Sequence, residues 1–130
     1  MRNGMNPTFT GSRLASALSA LAIAQAAFAA PPAPDGALVF RQRCQSCHSA
    51  AAAKPSPLGP NLAGVVGRKA GSLTYAYSPA LKASGVVWTR ANLDKYLSGP
   101  AKMVPGTKMS VAISDPAQRK ALIGYLATAR

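Results

Sequence analysis

Both cysteines and the one histidine of this chain fall within five consecutive residues, Cys44-Gln45-Ser46-Cys47-His48. With 130 residues there is material for one core, so this cluster constrains the whole fold. A thioredoxin-like thiol pair would call for a strand before it and a βαβ setting, and the sequence around it shows neither. Structural zinc takes four ligands, whereas the chain holds no other Cys or His and just three acids, Asp35, Asp94 and Asp115. A disulfide between residues three apart closes too small a loop to stabilise much. Cys-x-x-Cys-His is also the attachment signature of c-type haem. Cysteines at i and i+3 lie on one side of a helical turn, so both sulfurs reach the two vinyl groups of one porphyrin as thioethers. His48 then turns beneath the ring toward the iron.

The start of the chain agrees with that reading. MRNGMNPTFTGSR carries Arg2 and Arg13 and no acid; an apolar, alanine-rich run follows and ends in Ala27-Phe28-Ala29, a small-x-small cleavage pattern. The run falls short of the ~20 strongly apolar residues of a membrane span. Residues 1–29 are therefore expected to be a cleaved signal peptide, an uncleaved anchor being the alternative, and the protein to be periplasmic. Bacterial c-type haem is attached outside the cytoplasm, in keeping with export. Residues 30–35 form an extended Pro-rich arm, and residues 36–130 the domain.

Without Arg2 and Arg13, thirteen basic side chains stand against three Asp and no Glu, a net +10. That balance favours acidic partners or anionic surfaces, or simply keeps the protein soluble. Export and the scattering of the lysines argue against a nucleic-acid partner.

The expected fold class is all-α. Asp35 precedes a helix in which Gly36, Phe40 and Cys44 share a face. A helix over about Arg90 to Ser98 starts after Thr89 and stops at Gly99-Pro100. Asp115-Pro116-Ala117-Gln118 resembles a capping box, followed by a stripe of Leu122, Tyr125, Leu126 and Ala129. Ser78–Ser84 is a weaker short helix, Pro100–Met103 reads as a turn, and Gly85-Val86-Val87 is the best strand candidate. Loops this long suit a compact domain when something other than the chain fills its centre. No second histidine exists, so bis-histidine ligation within one chain is excluded, and Met103 and Met109 remain after cleavage as candidate second ligands. Met109 follows the turn-rich Val104–Lys108 segment, which can present its thioether, whereas Met103 suits gap-filling.

Beyond CQSCH, the segments GPNLAGVVGRK (Gly59–Lys69), Tyr75-Ala76-Tyr77, Trp88 and KYLSGPAKMVPGTKM (Lys95–Met109) occur in order. On these motifs the chain from about Gly36 to Arg130 resembles the class I, mitochondrial-type cytochrome c family, which includes soluble bacterial carriers. The resemblance implies three main helices and long loops wrapped around one covalent haem c, with Cys44 and Cys47 as thioether sites and His48 and Met109 as iron ligands. It matches Pro60 to a carbonyl that accepts the histidine's other ring N–H. It matches Arg68, Tyr77 and Trp88 to groups that bind a haem propionate, and Tyr96 and Thr107 to groups beside the methionine. Gly36 and Phe40 would meet Leu122 and Tyr125. Taken singly, these aromatics, the arginine and the glycines also read as ordinary core or loop residues.

The resemblance further implies an electron carrier rather than an enzyme, a monomer with at most peripheral membrane contact. Its partners would be the acidic docking faces of a quinol–cytochrome c oxidoreductase or periplasmic dehydrogenase, and of a terminal oxidase or reductase. The alternative, should Met109 not ligate, is a small-ligand binder or peroxidase-like enzyme. Four positions depart from the family: Leu81 in place of a common asparagine, Val111 where an aromatic ring often lies, and Asp115 and Pro116 in place of lysines. Arg43, Lys102 and Lys108 are expected around the haem edge.

Overall fold

Helix starts are set by side chains that accept otherwise unpaired N–H groups. In this computed structural model, which describes residues 29–130, Asp35 accepts from the Ala37 N–H and opens α1 (Gly36–Arg43). Ser78 accepts from Leu81 and opens α2 (Pro79–Ala83). Thr89 accepts from Asn92 and opens α3 (Arg90–Ser98). After α4 (Pro100–Met103), Asp115 accepts from Ala117 and Gln118 and opens α5 (Pro116–Thr128). Proline leads α2, α4 and α5, where its fixed φ is suited and its missing N–H costs nothing.

Three expectations change in detail. Pro100–Met103 is a short helix rather than a turn, its Lys102 and Met103 N–H groups bonding to the Gly99 carbonyl at 3.0 and 3.1 Å. Only the Asp115 half of the capping box forms: among the described residues, the Gln118 side chain has no bond back to the cap. The candidate strand is reduced to one antiparallel bridge between Lys69 and Val87, and no strand occurs among the described residues. Of the expected signal peptide, residues 1–28 lie outside the described residues.

The N- and C-terminal helices pack on each other, and α5 also packs on α3. Gly36 makes the first contact possible, because a methyl group there would overlap the Ala121 carbonyl. Phe40 meets Tyr125 with ring centroids 5.4 Å apart, and Leu122 beneath them is wholly buried. Ile123, outside the expected stripe, is buried as well. Arg119 ties α5 to α3 through Asp94 at 2.7 Å and to the preceding loop through the carbonyls of Ile113 and Ser114. The other described residues are loop, and those between the helices run around a central cavity. No helix among the described residues is long and apolar enough to cross a membrane.

Candidate functional site

The Cys-x-x-Cys-His unit is wound directly onto the end of α1. The Cys44 and Gln45 N–H groups reach back to the Phe40 carbonyl, and those of Cys47 and His48 to the Cys44 carbonyl, at 2.9–3.0 Å. The two sulfurs are not joined to each other. Burial pushes the Cys44 thiol up to about 11, Arg43 drawing it partly back. A redox thiol needs its pKa lowered instead, so the environment speaks against a thioredoxin-like pair. Nor do three His, Cys, Asp or Glu side chains cluster among the described residues, as a zinc site would need.

Both cysteines and His48 line a cavity of about 420 Å³. His48 Nδ1 lies 2.7 Å from the Pro60 carbonyl oxygen. A carbonyl can only accept, so Nδ1 carries the proton and Nε2 keeps its lone pair for a metal. The backbone brings Pro60 there: the Leu58 and Gly59 N–H groups both donate to the Cys47 carbonyl, at 3.1 and 2.7 Å. Gly59 must lack a side chain, since a Cβ would collide with the imidazole ring. Asn61 anchors the following turn, donating to the Ala51 and Lys54 carbonyls and accepting from Ala63.

The other expected residues line the same cavity: Arg68, Tyr77, Trp88, Tyr96, Thr107 and Met109. Tyr96 and Thr107 hydroxyls are 2.6 Å apart, and Thr107 Oγ1 also accepts from the Met109 N–H at 3.4 Å. The chain reaches them through a turn at Gly106, whose φ of +89° favours glycine. Met103 packs on the core but does not line the cavity. Burial raises the Tyr96 phenol above its ordinary range, its bond to Thr107 drawing it back. Trp88 packs on Tyr96 with ring centroids 4.8 Å apart, and its backbone N–H donates to the Arg68 carbonyl. The Arg68 guanidinium donates to the Ala63 and Asn61 carbonyls at 3.0 and 2.8 Å. Burial lowers its pKa, with Tyr77 opposing.

Some of the geometry escaped sequence reasoning. Ser78 is buried against the cavity, capping α2 with its oxygen while its O–H has no acceptor among the described residues. Tyr75 also lines the cavity, bonds to the Leu58 carbonyl at 2.7 Å and meets Tyr77 edge-on. Tyr75 was named only within the Tyr75-Ala76-Tyr77 motif of the family resemblance, and nothing local announces its partner. Of the three expected cations, Arg43 and Lys108 line the cavity and Lys102 does not; its stem lies over Gly99 instead. Arg43 and Lys108 themselves clasp carbonyls, those of Ala112 and Ala76. Leu81 is buried in the wall, while Leu58 and Val111 are exposed at the cavity, 72% and 39%.

The donor set fits a haem. A lone-pair imidazole nitrogen, two free thiols and a thioether share one largely apolar cavity, together with polar groups for carboxylates. Among the latter, the Trp88 indole N–H has no protein acceptor among the described residues.

Comparison with known proteins agrees. A sequence model of the family described as Cytochrome c matches residues 33–130. Cytochrome c2 of Rhodomicrobium vannielii is 43% identical over 112 residues, which span 85% of this chain and 89% of that protein. Cytochrome c of Theileria annulata is 45% identical over 92 residues, 70% of this chain and 80% of that one. Among solved structures, cytochrome cH from Methylobacterium extorquens superposes with a TM-score of 0.67 at 44% identity, covering 75% of this chain and 99% of that one.

Proposed function

The chain belongs to the cytochrome c family, electron-transfer proteins with covalent haem c, and on that premise we propose that it is a periplasmic one-electron carrier with His48 and Met109 as iron ligands. The observation that carries the ligand assignment is the bond from His48 Nδ1–H to the Pro60 carbonyl, in a cavity that Met109 also lines. Bound haem supplies an iron that alternates between Fe(III) and Fe(II). The protein holds it and makes the exchange of an electron cheap in structural rearrangement.

In this reading Cys44 and Cys47 give the two thioethers. Pro60 fixes the tautomer and raises the basicity of His48. Thr107 and Tyr96 hold the backbone at Met109, and a His/Met pair favours a high potential. Arg68, Tyr77 and Trp88, which line the cavity, would hold a propionate; a guanidinium nearby would offset the cost of burying a carboxylate. Arg43 and Lys108 at the cavity, with the basic chain as a whole, steer acidic redox partners at rates that fall with salt. The donor would be a quinol-oxidising complex or a periplasmic dehydrogenase, the acceptor a terminal oxidase or reductase. Residues 1–29 would serve as the export signal, 30–35 as an extended arm and 36–130 as the carrier domain.

The visible spectrum of the oxidised holoprotein tests the ligand assignment. A weak far-red charge-transfer band is expected, lost in Met109→Ala and kept in Met103→Ala. A high-spin spectrum in the unmutated protein would overturn it.

A further inference from the structure

The segment beneath the histidine is held from two sides. Asn61 secures its far end through three bonds to backbone groups. At its near end the Tyr75 hydroxyl donates to the Leu58 carbonyl at 2.7 Å, a link between residues 17 apart in sequence. Leu58 and Gly59 in turn donate to the Cys47 carbonyl, Gly59 lies against the His48 ring, and Pro60 accepts its Nδ1–H. Nothing else among the described side chains bonds to Leu58 or Gly59. The Tyr75 ring is kept in place by Tyr77, edge-on at 4.9 Å and 73°.

From this chain of contacts we propose that Tyr75 is a positioning residue for the electron-transfer centre, its phenol setting the strength of the Pro60–His48 hydrogen bond. With Leu58 pinned, the Gly59-Pro60 backbone sits at a fixed height under the imidazole. A short bond to Nδ1–H makes the imidazole a stronger donor and favours Fe(III). Release of Leu58 lengthens that bond, weakens the donor and raises the reduction potential. This inference rests on His48 being an iron ligand.

Tyr75→Phe tests it in the holoprotein, because the ring and its contact with Tyr77 stay and only the hydroxyl goes. The expected result is a higher potential, with His48 Nδ1–H and the Leu58 and Gly59 amides exchanging with solvent about tenfold faster by NMR, the equivalent of losing one ordinary hydrogen bond. An unchanged or lowered potential would overturn the proposal, whatever the change in Tm. So would a shift seen in Tyr75→Leu, which lacks ring and hydroxyl, but not in Tyr75→Phe. Amide exchange reads the clamp regardless of what binds the iron, and the paramagnetic shift of the His48 ring protons reads its ligation, so failure of either is recognised separately.

Discussion

Glycine and proline at positions 59 and 60 act on His48 in complementary ways: the first by having no side chain, the second by offering a carbonyl and no N–H. The GPN triplet was legible in the sequence as part of a family motif, whose resemblance implied the bond from His48 to Pro60. That Gly59 also lies against the imidazole required the fold. Residue-scale chemistry also fixes a pH dependence. Burial holds the Tyr77 phenol above its ordinary value of 10.0, with the Arg68 charge drawing it partly back. A group that keeps its proton more tightly in the folded state stabilises the fold below its unfolded pKa and loses that contribution as pH rises through the folded value. Tyr77 thus contributes fully at neutral pH and progressively less above about 10. Tyr77→Phe is expected to shrink the fall in Tm between about pH 9 and pH 11, measured by circular dichroism against the unmutated protein.

Helix starts are local decisions, and the sequence carried them. Asp35, Thr89 and Asp115 each accept from N–H groups two or three residues ahead, so composition within one turn suffices to find them. The four-residue α4 shows no period to read, and its bonds converge on the Gly99 carbonyl just before it. Gly36 looked like a facing position and proved to be a steric requirement. Gly36→Ala forces a methyl group against the Ala121 carbonyl and Tyr125. The expected cost is about 1–3 kcal/mol, from overpacking that exceeds any gain in helix propensity. Thermal melting should show a Tm lower by roughly 4 to 20 °C; an unchanged Tm would mean that α1 shifts away freely.

At the scale of the molecule, core and cavity share their walls. Leu81, Trp88, Leu93, Tyr96, Leu97, Leu122 and Leu126 belong to the buried cluster and also line the cavity of about 420 Å³. Such residues gain their packing contacts from whatever fills the centre. Replacing both Cys44 and Cys47 by alanine, and so removing covalent attachment, is expected to abolish most far-ultraviolet helical signal once the prosthetic group dissociates. A helical signal retained in full would show that the protein shell stands alone. By itself the sequence determined the cofactor chemistry and the beginnings of the helices, because attachment spacing and caps act over one turn of backbone. It also marked Met109, rather than Met103, by the turns before it. Only the tertiary structure decided that Met109 lines the cavity with His48 while Met103 does not, that Lys102 lies elsewhere, that Ser78 closes the wall and that Tyr75 reaches Leu58. Those outcomes join residues distant along the chain, and their geometry is set by how α1, α3 and α5 pack rather than by any periodicity a local stretch can show.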